Sequence, residues 1–309
     1  MDSILLKKLD TVEHIAGLSK ISRLINNPAK YISAVFFRLF IYPKKKEEKI
    51  TETELFFGRK MKIALPASTD IYLTGGKSHS SEIRLARFLI LNLERGNHFL
   101  DIGAHFGYFT LLAHELAGNE GKTFSFEPTT KSFELLKQNT QSLKGITIFQ
   151  KAISGKEDKL VFYEFPNLHS EYNSTDVSQY KNEEWFESTP PLKKEVEATT
   201  IDQITKDDSF KPDIIKIDVE GAEYDVISGG INFFKNNSPK IVMEYLETSR
   251  KNDTHKKAAA LLLSLGYHSH IITQSGHLQH LDSINKYLMK NNLDSDNIVF
   301  IKKMKDRSY

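Results

Sequence analysis

Two stretches of this 309-residue sequence set acids and glycines at spacings that can do chemistry. In FLDIGAHFGYFT, residues 99–110, Asp101 closes an apolar strand and Gly103 permits a tight turn. Gly107 then lets the next helix begin close to whatever lies in that turn. The spacing Asp-x-Gly-x-x-x-Gly lacks the second glycine with which a dinucleotide fold admits a pyrophosphate, because Ala104 and His105 stand there instead. A carboxylate at the strand end attracts an ammonium or sulfonium and repels phosphate. Further on, in SFEPTTKSFELLKQN, a second strand ends at Glu127 before Pro128, where an acid accepts both hydroxyl hydrogens of a ribose diol. A nucleoside carrying a positive centre satisfies both motifs, and S-adenosylmethionine is such a ligand.

A third run, KIDVEGAEYDV at residues 216–226, places Lys216 and Asp218 on one side of a strand, with Asp218 at its carboxyl end. Open α/β sheets bind ligands at that end. A buried Lys216 needs a carboxylate partner of this kind. Glu220 and Glu223 flank Gly221 at the start of the next helix, where acids also favour the helix dipole. Glu244 ends the following strand in KIVMEY and projects into the same crevice. Lys216, Asp218, Glu220 and Glu244 are therefore the candidate catalytic residues. The acids admit two mechanisms: a general base acting on an acceptor hydroxyl, or a divalent cation that lowers the hydroxyl's pKa. The metal-free reading is preferred, because acids beside a sulfonium have an electrostatic purpose of their own. Methyl transfer is an in-line displacement on an activated donor, so positioning supplies much of the rate.

These residues need strands to carry them and helices to cover the strands. From residue 60 the pattern alternates: KMKIALP, HFLDIG, KTFSFE, ITIFQ, DIIKID, PKIVMEY, HSHIIT and NIVFIKK read as strands. Helical spacing falls at residues 81–93, 108–117, 131–142, 222–229 and 254–265. The alternation predicts a mostly parallel sheet covered on both faces. No convincing helix separates the last two strands, so the end of the sheet is free to turn antiparallel. Residues 160–200 break the rhythm with LVFYEF, a long polar stretch and KKEVEAT, read as a hairpin excursion over the carboxyl edge of the sheet. Within it His169, Tyr172, Asn173 and Ser174 suit sugar hydroxyls, and Trp185 suits a sugar face. His268, His270, His277 and His280 fit alternation on a strand and hairpin better than a metal site.

The chain divides into an N-terminal helical, basic extension, residues 1–59, and a catalytic domain, residues 60–309. Arg38 and Pro43 prevent YISAVFFRLFIYPKKK from spanning a bilayer. Residues 1–50 are read as a helix packed on the domain; the alternative is a peripheral contact in which Lys44, Lys45 and Lys46 meet anionic lipid. With 42 Lys and Arg against 40 Asp and Glu, the charge is too even for an electrostatic nucleic-acid binder. The absence of cysteine excludes disulfides and thiolate chemistry. Without a signal-peptide pattern, the cytoplasm is the default location.

Taken together, FLDIGAHFGYFT, SFEPTTKSFELLKQN, QKAISGKEDKLVFYE, TTIDQI, PDIIKIDVEGAEYDVISGG and PKIVMEY resemble, in order and spacing, the FkbM-type methyltransferases over roughly residues 97–247. The resemblance implies a class I, Rossmann-like α/β methyltransferase fold: a seven-stranded, mostly parallel sheet whose antiparallel last strand inserts between strands five and six. It implies methylation of a hydroxyl, often of a sugar in a glycan, glycolipid or polysaccharide, with S-adenosylhomocysteine as product. By motif position Asp101, Gly103 and Gly107 would line the methionine side of the cofactor, Glu127 would hold the ribose, and Ala152 and Ile153 would flank the adenine; Ala104, Asp218 and His105 are further cofactor-binding candidates, with His105, at a variable motif position, open between a spacer and a substrate contact. The competing functions are methylation of a nucleic acid or protein on the same fold, or noncatalytic binding of the cofactor.

Overall fold

The computed structural model describes residues 2–165, 186, 190–207, 209–250 and 252–302. The chain opens with helices α1 (Asp2–Gly17), α2 (Lys20–Asn26) and α3 (Pro28–Phe36), the last running through a π-helical turn (Phe37–Ile41) into α4 (Tyr42–Lys45). Ser19 and Asn27 start α2 and α3 by accepting the backbone N–H groups of Ser22 and Lys30, and Pro28 needs no partner at the first position of α3. Strands β1 (Lys49–Glu54) and β2 (Lys60–Leu65) follow as an antiparallel hairpin. The division expected between residues 59 and 60 therefore cuts a hairpin, and the end of the extension is folded with the domain.

Helices α5 (Thr69–Thr74) and α6 (Ser80–Asn92) come next. Leu5, Leu9 and Val12 of α1 are buried in one core with Phe88 and Leu89 of α6. Polar contacts fix the same seam: Arg87, buried on α6, donates to Asp10 at 2.6 Å, Glu13 at 2.9 Å and the carbonyl of Gln274 at 2.6 Å. The first helix thus packs on the domain.

The rest of the chain builds the sheet: β3 (Phe99–Ile102), α7 (Tyr108–Ala117), β4 (Thr123–Phe126), α8 (Thr130–Thr140), β5 (Ile146–Phe149), β6 (Ala152–Ile153), β7 (Asp158–Glu164), β8 (Leu192–Thr199), α9 (Ile201–Ile204) and β9 (Ile214–Ile217). After these come α10 (Glu223–Ser228), α11 (Ile231–Asn236), β10 (Lys240–Leu246), α12 (Asp253–Ser264), β11 (Tyr267–Ile272), β12 (Leu278–His280), α13 (Ile284–Asn291) and β13 (Ser295–Lys302). The strand order is β12-β11-β13-β10-β9-β3-β4-β5. Strands β5, β4, β3, β9 and β10 are parallel, and β13 inserts antiparallel between β10 and β11. Every residue of β3 and β9 is buried, as two covered faces require.

The seven expected strands of this sheet are present, and the edge hairpin adds an eighth, β12, whose three residues are too few to show alternation. A helix the spacing did not reveal, α13, lies between β11 and β13; its eight residues carry only Ile284 and Leu288 to the core. His268 and His270 fall on β11, with His270 paired opposite His280 of β12. The two ends of the 160–200 excursion pair as β7 and β8, Leu160 opposite Val196, and β6 joins them in a separate three-stranded sheet. Among the described residues no helix is long and apolar enough to cross a membrane.

Because Leu9 is completely buried at the seam between α1 and α6, Leu9→Ala should lower stability by about 2–5 kcal/mol. Urea unfolding would show the loss as a lower midpoint; an unchanged midpoint would mean that α1 is not part of the cooperative core.

Candidate active site

The carboxyl ends of β3, β4, β9 and β10 face a cavity of about 850 Å³. Its organising group is Lys216, at the middle of fully buried β9. The ammonium lies 3.3 Å from Asp101 of β3 and 3.4 Å from Asp218, and donates to the carbonyl of Gly103 at 3.0 Å. Burial opposes the charge on Lys216, but Asp101 and Asp218 outweigh it and hold its pKa above the ordinary lysine value. Asp101 also accepts from Thr110 at 2.7 Å and is wholly inaccessible. Asp101 is not among the residues that line the cavity, whereas Asp218, whose side chain is 41% exposed, lines it.

The turn after β3 comes close to the turn after β9. Gly103 has φ +79°, and a Cβ there would stand 1.8 Å from the carbonyl oxygen of Asp218, so glycine is required for both reasons. Gly107, at φ +92°, starts α7 against Leu136, where a Cβ would come within 2.6 Å. It sets the helix entry and, like buried Ala104, is not among the cavity-lining residues. Gly103 and His105 do line it. His105 holds a left-handed φ of +50° and stacks on Phe106 at 3.7 Å; burial and then Lys77 push its imidazole down to about 3, leaving it neutral at pH 7.

Glu127, buried beyond the end of β4, accepts the N–H of His105 at 2.9 Å and of Thr129 at 3.0 Å. Burial raises its pKa against those hydrogen bonds. It lines the cavity, as do Ala152 and Ile153 of β6. It also accepts from Thr129 Oγ1 at 2.5 Å, so of the roughly four acceptor sites on a carboxylate about one is left for a ligand hydroxyl. On the far side, carboxylate oxygens of Asp218, Glu220 and Glu244 lie within 4.8 Å of one another. Burial and then the charge of Asp218 push Glu244 up to about 8. Glu220 occupies a left-handed conformation at φ +51°, a cost that a non-glycine residue carries only where its surroundings impose it.

Residues 101–269, more than half the chain, match the Methyltransferase FkbM domain. The chain belongs to the FkbM methyltransferase family. It is 28% identical over 165 residues to the methyltransferase sdnD of Sordaria araneosa, a match that covers 45% of this chain and 62% of that protein, so the likeness spans less than two thirds of the relative's length. The FkbM methyltransferase structure from Methylobacillus flagellatus is similar at 16% identity with a TM-score of 0.42, over 76% of this chain and 52% of that one. A S-adenosylmethionine-dependent O-methyltransferase from Thermotoga maritima is similar at 13% identity and a TM-score of 0.39, over 84% of this chain and 79% of that one.

The strand order, with β13 antiparallel between β10 and β11, is that of a class I methyltransferase sheet, and β13 completes it from beyond the matched residues. The structure adds residues to the site that sequence reasoning missed. Asp70, Lys77, His79 and Glu82, from α5 and α6 and the segment between them, line the cavity although they precede the matched domain. Ser295 and Asn297 reach it because β13 runs beside β10, with Asn297 paired opposite Glu244. Buried Glu223 stays out of the cavity. It accepts Gly221 N–H at 3.0 Å, Thr254 Oγ1 at 3.3 Å and stands 3.3 Å from His255, so it anchors the turn that carries Glu220. Burial moves Glu223 up to about 7 and His255 down to about 4. His169, Tyr172, Asn173, Ser174 and Trp185 lie outside the described residues.

Lys216→Met removes the counter-ion of inaccessible Asp101 and should destabilise the fold by about 3–5 kcal/mol in urea unfolding, with Asp101→Asn added to it recovering part of the loss. A double variant no more stable than the single one would show that Asp101 does not depend on Lys216. A second expectation concerns pH. His105 and His255 bind their protons less well when folded, so their contribution to stability grows as pH rises to about 6.5. Glu223 and Glu244 keep protons in the folded state that the unfolded chain has released above about 4.5, so their contribution shrinks as pH rises through about 7 and about 8. The two histidines and two acids oppose one another below 6.5; above it the acids act alone. The melting temperature should therefore fall from pH 6.5 to 8.5, and less steeply in Glu244→Gln; equal slopes would remove Glu244 as the source.

Proposed function

We propose that this chain is an S-adenosylmethionine-dependent O-methyltransferase whose acceptor is a sugar hydroxyl of a glycan, glycolipid or polysaccharide. One observation carries the reading: Glu127 and the Asp218, Glu220 and Glu244 carboxylates open into the same cavity. Strand β4 lies three places from β10 in the sheet, so about 14 Å of sheet edge separates the two acidic groups at about 4.8 Å per strand. That interval suits an extended nucleoside with a cationic centre and a second substrate beyond it.

The residues fit the cofactor. Gly103 brings backbone close, Ala152 and Ile153 supply an apolar wall for a base, and Glu127 keeps acceptor capacity for about one ribose hydroxyl. Bound S-adenosylmethionine supplies an already activated methyl group. Asp218, fixed by Lys216, attracts positive charge from the exposed side of the ion pair. Glu244 is poised near neutrality, where a general base removes a hydroxyl proton most effectively. Asp70, Lys77, His79 and Glu82 offer donors and acceptors on the opposite wall, which supports a polyhydroxylated acceptor.

Calorimetric titration with S-adenosylmethionine should give saturable binding, and Glu127→Ala should weaken it by about tenfold or more, the value of hydrogen bonds to a charged group. Absence of binding by folded wild-type protein would overturn the reading. With an acceptor found by transfer of labelled methyl to a glycan extract, Glu244→Gln should lower kcat about 10²-fold or more with cofactor affinity retained. The wild-type rate should climb with pH to a plateau above about 8, as Glu244 ionises, and a profile unchanged in the variant would assign the base elsewhere.

A further inference from the structure

The helices before β1 expose a face that the domain does not use. Ile21, Ile25, Ile32, Phe36, Leu39 and Phe40 are each more than half exposed. Six of the fourteen large apolar side chains exposed among the described residues thus fall within twenty positions. Ile21 and Ile25 are one helical turn apart on α2, and Ile32 and Phe36 repeat that spacing on α3. Phe36 and Phe40 touch, with ring centroids 5.2 Å apart, so the strip continues through the π-helical turn.

Charge identifies what covers this face. Residues 14–46 contain seven Lys and Arg and no Asp or Glu, whereas the remainder of the chain holds 35 Lys and Arg against 40 Asp and Glu. Lys20, Arg38, Lys44, Lys45 and Lys46 are exposed around the apolar strip. A second copy would bring two cationic layers together, which opposes self-association. An anionic lipid surface satisfies both features, taking the apolar side chains below the headgroups and the cations among them.

We propose that α2, α3, the π-helical turn and α4 form a docking layer for an anionic bilayer surface. The layer also reaches the cavity: Arg23 of α2 lines it, beside Ala16 of α1, Asp70 and Lys77. Docking then sets one wall of the site against the lipid headgroups, and a lipid-linked acceptor reaches the carboxylates without leaving the membrane surface. This last step rests on the proposed transferase function; the docking does not.

The test is sedimentation of the full chain with phosphatidylcholine vesicles prepared with and without phosphatidylglycerol. The protein should pellet with the anionic vesicles alone, and less at high salt. The triple variants F36S/L39S/F40S and K44E/K45E/K46E change exposed positions, so each should keep the wild-type melting temperature while losing about tenfold or more of the vesicle binding. Wild-type protein left in the supernatant with anionic vesicles would overturn the inference, as would full binding by both variants. A concentration-dependent dimer in sedimentation velocity, dissolved by the apolar variant, would assign the face to a second copy and overturn it equally. The readout is binding, so its failure is separate from a failure of methyl transfer.

Discussion

An ammonium buried between two carboxylates joins the two strands on which the site depends. Lys216 on β9 reaches Asp101 on β3, Asp218 just past its own strand, and the Gly103 carbonyl in the neighbouring turn. A charge withdrawn from water in this way is tolerable only when its partners surround it, so the ends of β3 and β9 have one arrangement that satisfies it. The close approach of Gly103 to the Asp218 carbonyl follows from that arrangement. Of the three, Lys216 and Asp218 line the cavity, and Asp101 lies behind them.

The same economy governs the acids on the cavity's other side. Asp218, Glu220 and Glu244 come from the end of one strand, the following turn and the neighbouring strand, so no local sequence feature separates their charges. Burial, and then the charge of Asp218, holds Glu244 protonated to a higher pH, which lowers the charge gathered there. Glu223 performs a quieter task beneath them. Its buried carboxyl ties Gly221, Thr254 and His255 together and thereby holds the turn in which Glu220 takes a left-handed conformation.

Much of this fold was legible because its central strands are short apolar runs and its covering helices are amphipathic. Helix α7 occupies the expected residues 108–117, and α6, α8, α10 and α12 start and end within a residue or two of the expected spans. What escaped has too little periodicity to register: the six residues of α11, the eight of α13, and the polar strand β1, whose alternation becomes visible only against β2. At the site, glycines and acids at strand ends were readable from spacing. The direction in which Asp101 points was not, because that depends on Thr110 and Lys216 lying on its inner side.

The sequence by itself determined the order of strands and helices, the two glycine turns, the acid at the end of β4 and the acids around residues 218–244, since each is a local matter of residue type and spacing. Only the tertiary structure decided which of them share a cavity. Strand β13 comes to lie beside β10, placing Asn297 opposite Glu244 across a separation of 53 residues in the chain. The segment from Asp70 to Glu82 and the N-terminal helices complete the walls from outside the matched family domain. These contacts join residues distant in the chain, and they exist because apolar faces on both sides of the sheet must be buried, a requirement that no single segment can meet alone.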